Sequence, residues 1–296
     1  MDIKADVPTK ISQLEMGSKV KVDNNFAFNI GGGGVNVSIT INRLGSSVGY
    51  LGKVSTENKD LLLKTLDKYN IGLIKTKETK RPCAKSILLQ TEDSDRVILT
   101  FRGHNSYFYI DDMNLADLKS NNFYFTSLND DAFQTQIKIA KHIKKVNSNS
   151  KICFNLSSHA IKSEKKVKDL IKLSDILIFN FDEAKELTGE RNIKDCLEKV
   201  REMGPRLVVI TDGIQGTYAY NGKNQYFQKA REAKKVVDTT GAGDCFAATF
   251  FNFYAKGYGV QSSLRYAAIN SANLVTKTGT QNGLLGYNEI IKKKIV

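Results

Sequence analysis

Histidine and cysteine are scarce in this chain, and the few present stand far apart. Three histidines (His104, His142, His159) and four cysteines (Cys83, Cys153, Cys196, Cys245) are spread over 296 residues. No C-x-x-C pair and no H-x-x-x-H or H-x-E spacing occurs. Neither a structural zinc centre nor a disulfide scaffold is therefore expected, and a reducing, cytoplasmic setting is. Long apolar runs are missing as well. Ile176–Phe179 and Leu207–Ile210 are strand-sized, far short of the roughly 20 residues of a membrane helix, so no membrane partner is expected. The opening Met1-Asp2-Ile3-Lys4-Ala5-Asp6 lacks the basic-then-apolar pattern of a secretory signal. With only three prolines, 41% hydrophobic and 25% charged residues, the composition is that of a folded protein without low complexity.

What is abundant is positive charge, a formal +13. The lysines crowd helical segments (Lys141, Lys144, Lys145; Lys162, Lys165, Lys166, Lys168; Lys292–Lys294) without interleaved aromatics or a nucleic-acid module. Solvated helix faces explain them, and a basic field also suits an enzyme whose ligands are phosphorylated anions. No nucleic-acid partner is expected.

The length suits one large α/β domain carrying a small appendage. Strands are predicted at Phe123–Thr126, Ile152–Leu156, Ile176–Phe179 and Leu207–Thr211. Helices are predicted at Asp131–Val146, Glu164–Leu173, from Asp182, and at Ile193–Met203. The alternation predicts right-handed crossovers and a mostly parallel sheet, and the uniformly apolar strands predict helices on both faces. Two stretches break the rhythm. Lys85–Thr91 and Arg96–Arg102, joined by the polar turn 92–95, read as a hairpin, and Lys10–Asn29 reads as extended. Together, residues of about 10–30 and 84–105 predict a small β lid over the sheet edge.

Four constellations carry chemistry. Asp238-Thr239-Thr240-Gly241-Ala242-Gly243-Asp244 precedes an apolar helix reaching about Tyr254. Bare amides at a helix N-terminus make an anion nest. A carboxylate beside it is either a proton acceptor for a nucleophile or an ordinary helix cap. Gly31-Gly32-Gly33-Gly34-Val35-Asn36 also opens a helix, either as a hinge or as a place for a ligand to approach the backbone, with Asn36 offering donor and acceptor to hydroxyls. Neither a Rossmann G-x-G-x-x-G nor a Walker G-x-x-x-x-G-K-[ST] is met. Asn180 and Glu183 follow one strand and either steer a hydrated Mg²⁺ or cap a helix. Thr211-Asp212-Gly213 and Gly216 follow another and either meet a nucleotide or form a turn.

In this order and spacing the motifs resemble the PfkB/ribokinase family of carbohydrate and nucleoside kinases across the whole chain. The Asp-Thr-Thr-Gly-Ala-Gly-Asp string is the most specific part. Gly-Gly-x-Gly-x-Asn, Arg43-Leu44-Gly45, Leu51-Gly52-Lys53-Val54, Asn180-x-x-Glu183, Thr211-x-Gly213 and Thr276…Gly279 support it. The resemblance implies one ribokinase-like domain over residues 1–296. It implies ATP-dependent phosphoryl transfer to a sugar or sugar-acid hydroxyl, with Asp244 as general base and the amides of Gly241, Ala242 and Gly243 as anion hole. It further implies Asp2, Gly32, Gly33, Asn36 and Arg102 on the substrate, and Asn180, Thr211, Gly213, Gly216, Asn270 and Asn273 on the nucleotide. Mg²⁺ would be held through water by Glu183. Potassium would lie near Asp238, Thr240, Leu274, Gly279 and Gly283. Because Asp2 matches the aspartate that ends the family's first strand, that strand is expected to be truncated here. A nucleoside kinase, with Phe26, Phe28 or Tyr107 stacking on a base, and a catalytically inactive relative are the alternatives. A homodimer through the β lid is a further expectation.

Overall fold

The computed structural model describes residues 2–7, 26–91, 96–161 and 164–293. The expectations for 10–25 and for the turn at 92–95 lie outside the described residues. The first third contains β1 (Asp2–Val7), β2 (Phe26–Asn29), α1 (Gly33–Arg43), β3 (Gly49–Tyr50), β4 (Val54–Ser55), α2 (Lys59–Lys68), β5 (Gly72–Leu73) and β6 (Glu78–Thr79). Then come β7 (Lys85–Thr91), β8 (Arg96–Phe101), β9 (Asn122–Thr126), α3 (Asp130–Val146), β10 (Lys151–Asn155), α4 (Ser158–Ile161) and α5 (Glu164–Leu173). The last part contains β11 (Ile176–Asn180), α6 (Phe181–Thr188), α7 (Ile193–Glu202), β12 (Leu207–Thr211), β13 (Thr217–Tyr220) and β14 (Gln225–Gln228). It ends with α8 (Ala242–Ala255), α9 (Val260–Leu274) and α10 (Tyr287–Lys292).

The central sheet runs β14-β13-β12-β11-β10-β9. β9 to β12 are parallel, as the alternation of strands and helices predicts, and β13 and β14 return antiparallel, which makes the sheet mixed. Its middle strands are apolar throughout because both faces are covered. Phe154, Leu177, Phe179, Val208 and Ile210 point into one core, shared with α3, α5, α6 and α7. Cys153, Ile176, Ile178, Leu207 and Val209 point the opposite way, against Phe246, Phe250 and Leu264 of α8 and α9. The period of two along each strand thus assigns successive side chains to opposite layers. Helix ends follow local chemistry: α7 begins where the Asn192 side chain accepts from the Asp195 amide, and α6 stops at Gly189 in the left-handed region.

The smaller sheet has the order β2-β1-β7-β8. The expected hairpin is there, with Ile87 opposite Leu99 and Lys85 opposite Phe101. β1 lies between β2 and β7, antiparallel to the first and parallel to the second. Asp2–Val7 therefore belongs to this sheet, which the lid assigned to about 10–30 and 84–105 did not include. Ile87, Leu99 and Phe101 are 40%, 54% and 53% exposed, so the hairpin carries an uncovered apolar face.

Candidate active site

The C-terminal ends of the parallel strands converge at one edge. Asn180 pairs with Thr211 and Asn155 with Thr126, where open α/β sheets place their ligands. Two helix N-termini meet over that edge. α1 is capped by Gly32 and α8 by Gly241, neither with a side-chain cap bond. Gly241 has φ 79°, and a Cβ there would lie 2.9 Å from Thr280 Cγ2, so position 241 needs glycine for both conformation and space. Asp244 is the third residue of α8. The cap is therefore Gly241, and the carboxylate is left to act elsewhere.

That carboxylate reaches across to α1. Asn36, 5% exposed, donates from Nδ2 to Asp244 Oδ2 at 3.0 Å and accepts at Oδ1 from the Thr280 hydroxyl at 2.9 Å. Asp244 Oδ1 faces Gly33, 3.5 Å from where a Cβ would stand, while Thr126 Cγ2 would lie 3.1 Å from the same point. The glycine run thus keeps a side-chain-free space beside the carboxylate. Of the expected anion-hole amides, Ala242 is turned back to Thr239 O at 3.2 Å. The amides of Gly241 and Gly243 take no acceptor among the described residues, and a Cβ at Gly243 would meet nothing within 4 Å. Beneath the site, burial raises the Tyr124 phenol well above its ordinary pKa, with lesser contributions from Cys153 and Asp244.

The loop after α9 closes the site from below. Asp238, 3% exposed, accepts from the Thr240 amide at Oδ1 (2.9 Å) and from the Gly279 amide at Oδ2 (3.0 Å). Gln281 reaches Ile30 O at 3.1 Å, tying the same loop to the start of the glycine run. Gly283 packs on the end of α9, where a Cβ would come within 2.6 Å of Leu274. The cation residues expected from sequence (Asp238, Thr240, Leu274, Gly279, Gly283) therefore form one neighbourhood, and Thr280, which sequence reasoning missed, lies within it.

Asn180 and Glu183 form a reciprocal cap on α6. Asn180 Oδ1 accepts from the Glu183 amide at 2.8 Å and Glu183 Oε2 from the Asn180 amide at 2.9 Å. Glu183 Oε1 accepts from the Ser158 amide at 3.1 Å. Burial raises the Glu183 pKa, and these hydrogen bonds oppose the rise. With both oxygens turned to amides, Glu183 does not suit direct metal ligation. Among the described residues no group of three His, Cys, Asp or Glu side chains gathers to hold a metal. Thr211 ends β12, and the turn Gly213–Gln215 leads to Gly216, whose carbonyl accepts from the Asp212 amide at 2.8 Å.

Two expected nucleotide contacts are tied to other parts of the chain, Asn270 in the interior and Asn273 half-buried near the surface. Asn270, fully buried, donates to Thr249 and accepts from the Leu285 amide. Asn273 donates to Gly283 O and accepts from Lys293. Asp2 stands at the edge of β1 between Asn29 and Ser86. Arg102 follows β8 and precedes the turn Gly103–Ser106, half-buried, with its pKa lowered by that burial. A cavity of about 560 Å³, lined by Arg43, Lys256, Tyr287 and Glu289, opens at the opposite, C-terminal ends of α1 and α8.

Among the described residues no helix is long and apolar enough to cross a membrane, and all four cysteines are buried free thiols. The chain is 24% identical over 304 residues to 5-dehydro-2-deoxygluconokinase of Halalkalibacterium halodurans, covering 95% of this chain and 89% of the relative. It superposes on the crystal structure of a Methanocaldococcus jannaschii nucleoside kinase, an archaeal member of the ribokinase family, with TM-score 0.82 and 19% identity, over 98% of this chain and 93% of the other. Arabidopsis thaliana ribokinase, solved with ribose and ATP, gives TM-score 0.81 and 19% identity over 98% and 94% of the two chains. The pattern of the pfkB family carbohydrate kinases matches residues 5–285, and the chain belongs to that family.

Proposed function

We propose that the protein transfers the γ-phosphoryl group of ATP to a hydroxyl of a small sugar acid or sugar, with Asp244 taking the hydroxyl proton. The observation that carries this is the Asp244 carboxylate, held by Asn36 at 3.0 Å and facing the side-chain-free space at Gly33. A base must stand within hydrogen-bond reach of the proton it removes, and this space admits an acceptor oxygen at that range. The Gly241 and Gly243 amides would receive the transferring phosphoryl group at the positive end of α8. Ala242 would join them once its amide leaves Thr239.

Asn180, Thr211, Gly213 and Gly216, at the ends of β11 and β12, would line the nucleotide. Mg²⁺, when bound with ATP, spreads the charge of the phosphates. Glu183, its oxygens already turned to amides, would reach it only through water. Backbone at Thr240, Leu274, Gly279 and Gly283 would hold potassium, with Asp238, its oxygens already on the Thr240 and Gly279 amides, ordering that backbone and adding charge nearby, which stimulation by K⁺ over Li⁺ would test. Gly32, Gly33, Asp2 and Asn36 would frame the acceptor. The half-buried guanidinium of Arg102 suits a carboxylate, and the relative named for a dehydro-deoxygluconate favours a sugar acid over a neutral sugar. The nucleoside kinase among the structural neighbours supports a nucleoside acceptor as the second reading. The apolar face formed by Ile87, Leu99 and Phe101 supports a dimer through the lid.

Phosphate transfer from Mg·ATP across pentoses, hexoses, keto-deoxy sugar acids and nucleosides tests the proposal. Turnover confined to sugar acids or sugars is expected. Turnover confined to nucleosides would replace the acceptor class, and silence across the panel would remove the kinase activity.

A further inference from the structure

The Asn36 side chain sits between two groups of different character. Asp244, as a carboxylate, only accepts hydrogen bonds, so the amide must present its NH₂ to it. Asn36 Oδ1 then faces the other way, to the Thr280 hydroxyl, which donates at 2.9 Å. Thr280 is itself fixed on two sides. Its Cβ and Cγ2 lie 3.0 and 2.9 Å from where a Cβ on Gly241 would be, against the cap of α8. The neighbouring Gly279 amide is bound to Asp238 at 3.0 Å, and the following Gln281 is bound to Ile30.

We infer that Thr280 is a positioning residue for the base, acting through Asn36. Its hydroxyl holds the amide in the one orientation that donates to Asp244 Oδ2, which leaves Asp244 Oδ1 toward Gly33. The Thr280–Asn36–Asp244 chain thus joins the loop after α9, the start of α1 and the start of α8. A donor on Oδ1 also polarises the amide and strengthens the bond its NH₂ makes to the carboxylate. The inference rests on Asp244 being the base only for its effect on rate. The hydrogen-bond chain itself can be read in the free protein.

Asp244 is the one carboxylate carried by α1, α8, α9, β9 and β10, and Asp238, on the segment before α8, keeps its own carboxylate on the Thr240 and Gly279 amides. Tyr124 on β9, Cys153 on β10 and Cys245 on α8 are all pushed up by burial and stay neutral there. The residues α9 turns to α8 include Ala267, Asn270 and Ser271, and α1 contributes Gly33 and Asn36. None of these ionises.

The test is a ¹³C titration of the Asp244 carboxyl, assigned by its loss in Asp244→Asn, in wild type, Thr280→Val and Thr280→Ser. Val keeps the shape of Thr and removes the donor, whereas Ser keeps the donor. In Thr280→Val the bond favouring the ionised carboxylate is made only part of the time, so the Asp244 pKa is expected to rise. Thr280→Ser should titrate as wild type. With the substrate found by the panel above, kcat of Thr280→Val should fall about tenfold, the equivalent of one hydrogen bond, with the acid limb moved up and KM for ATP unchanged. A purely structural Thr280 would lower the melting temperature and leave the titration where it was. An Asp244 titration in Thr280→Val that coincides with wild type overturns the inference, whatever the melting temperature. A catalytically competent Asp244→Asn would instead remove the base and leave the titration result standing.

Discussion

Replacing Gly33 by alanine is a small change with an effect that follows from two distances. The added Cβ would lie 3.1 Å from Thr126 Cγ2 and 3.5 Å from Asp244 Oδ1. The first is tight, so Thr126 must yield by a few tenths of an ångström. The second is an ordinary contact, but it fills the space an acceptor oxygen needs. A hydroxyl bonded to a carboxylate sits about 2.7 Å away, and it cannot share that side of Oδ1 with a methyl group. Gly33 lies in the first turn of α1 without positive φ, so alanine there brings no backbone strain. Alanine in a helix is also favoured over glycine by roughly 0.5–1 kcal/mol, which offsets the crowding at Thr126. The variant should therefore melt within a few degrees of wild type. Displacing the acceptor by about 1 Å costs on the order of 10²-fold in rate, or about 2.7 kcal/mol of barrier. The assay is coupled phosphoryl transfer at saturating Mg·ATP, alongside thermal melting. A Gly33→Ala protein with wild-type kcat/KM for the acceptor would refute the role assigned to the space between α1 and Asp244.

Two other sites give predictions on stability. Asp238→Asn turns an NH₂ toward either the Thr240 or the Gly279 amide, both of which need an acceptor. A loss of about 1–3 kcal/mol in urea unfolding is expected, with binding of ATP weakened as the 276–283 loop loosens. Glu183 has its pKa raised by burial, so its contribution is fully present below the ordinary value of 4.5 and is lost as pH rises through the raised one. The urea midpoint of wild type relative to Glu183→Gln should therefore decline as pH rises above 4.5, and a difference independent of pH would contradict the assignment.

Much of the central sheet could be read from sequence for a physical reason. β10, β11 and β12 are covered on both faces, so their runs are apolar throughout, and the helices between them have caps close at hand, as at Asn180 and Asn192. The start of α8 at the Gly241–Gly243 string was legible because helix N-terminal chemistry is local. What escaped was set by distance along the chain. Thr280 acquires its partner only when the fold brings it to Asn36, 244 positions away, and nothing local marks it. The resemblance put Asn270 on the nucleotide, and nothing in the sequence shows that its amide is taken up by Thr249 and Leu285. The antiparallel return of β13 and β14, and the insertion of β1 between β2 and β7, depend on pairing partners that periodicity does not name.

The central claim is that Asp244 is the proton acceptor, and one variant addresses it directly. Asp244→Asn keeps the shape of the side chain and removes its basicity. Single-turnover phosphoryl transfer should fall by about 10²-fold or more with ATP binding retained, since general-base catalysis contributes on that order. Transfer at the wild-type rate by a correctly folded Asp244→Asn protein would contradict the account.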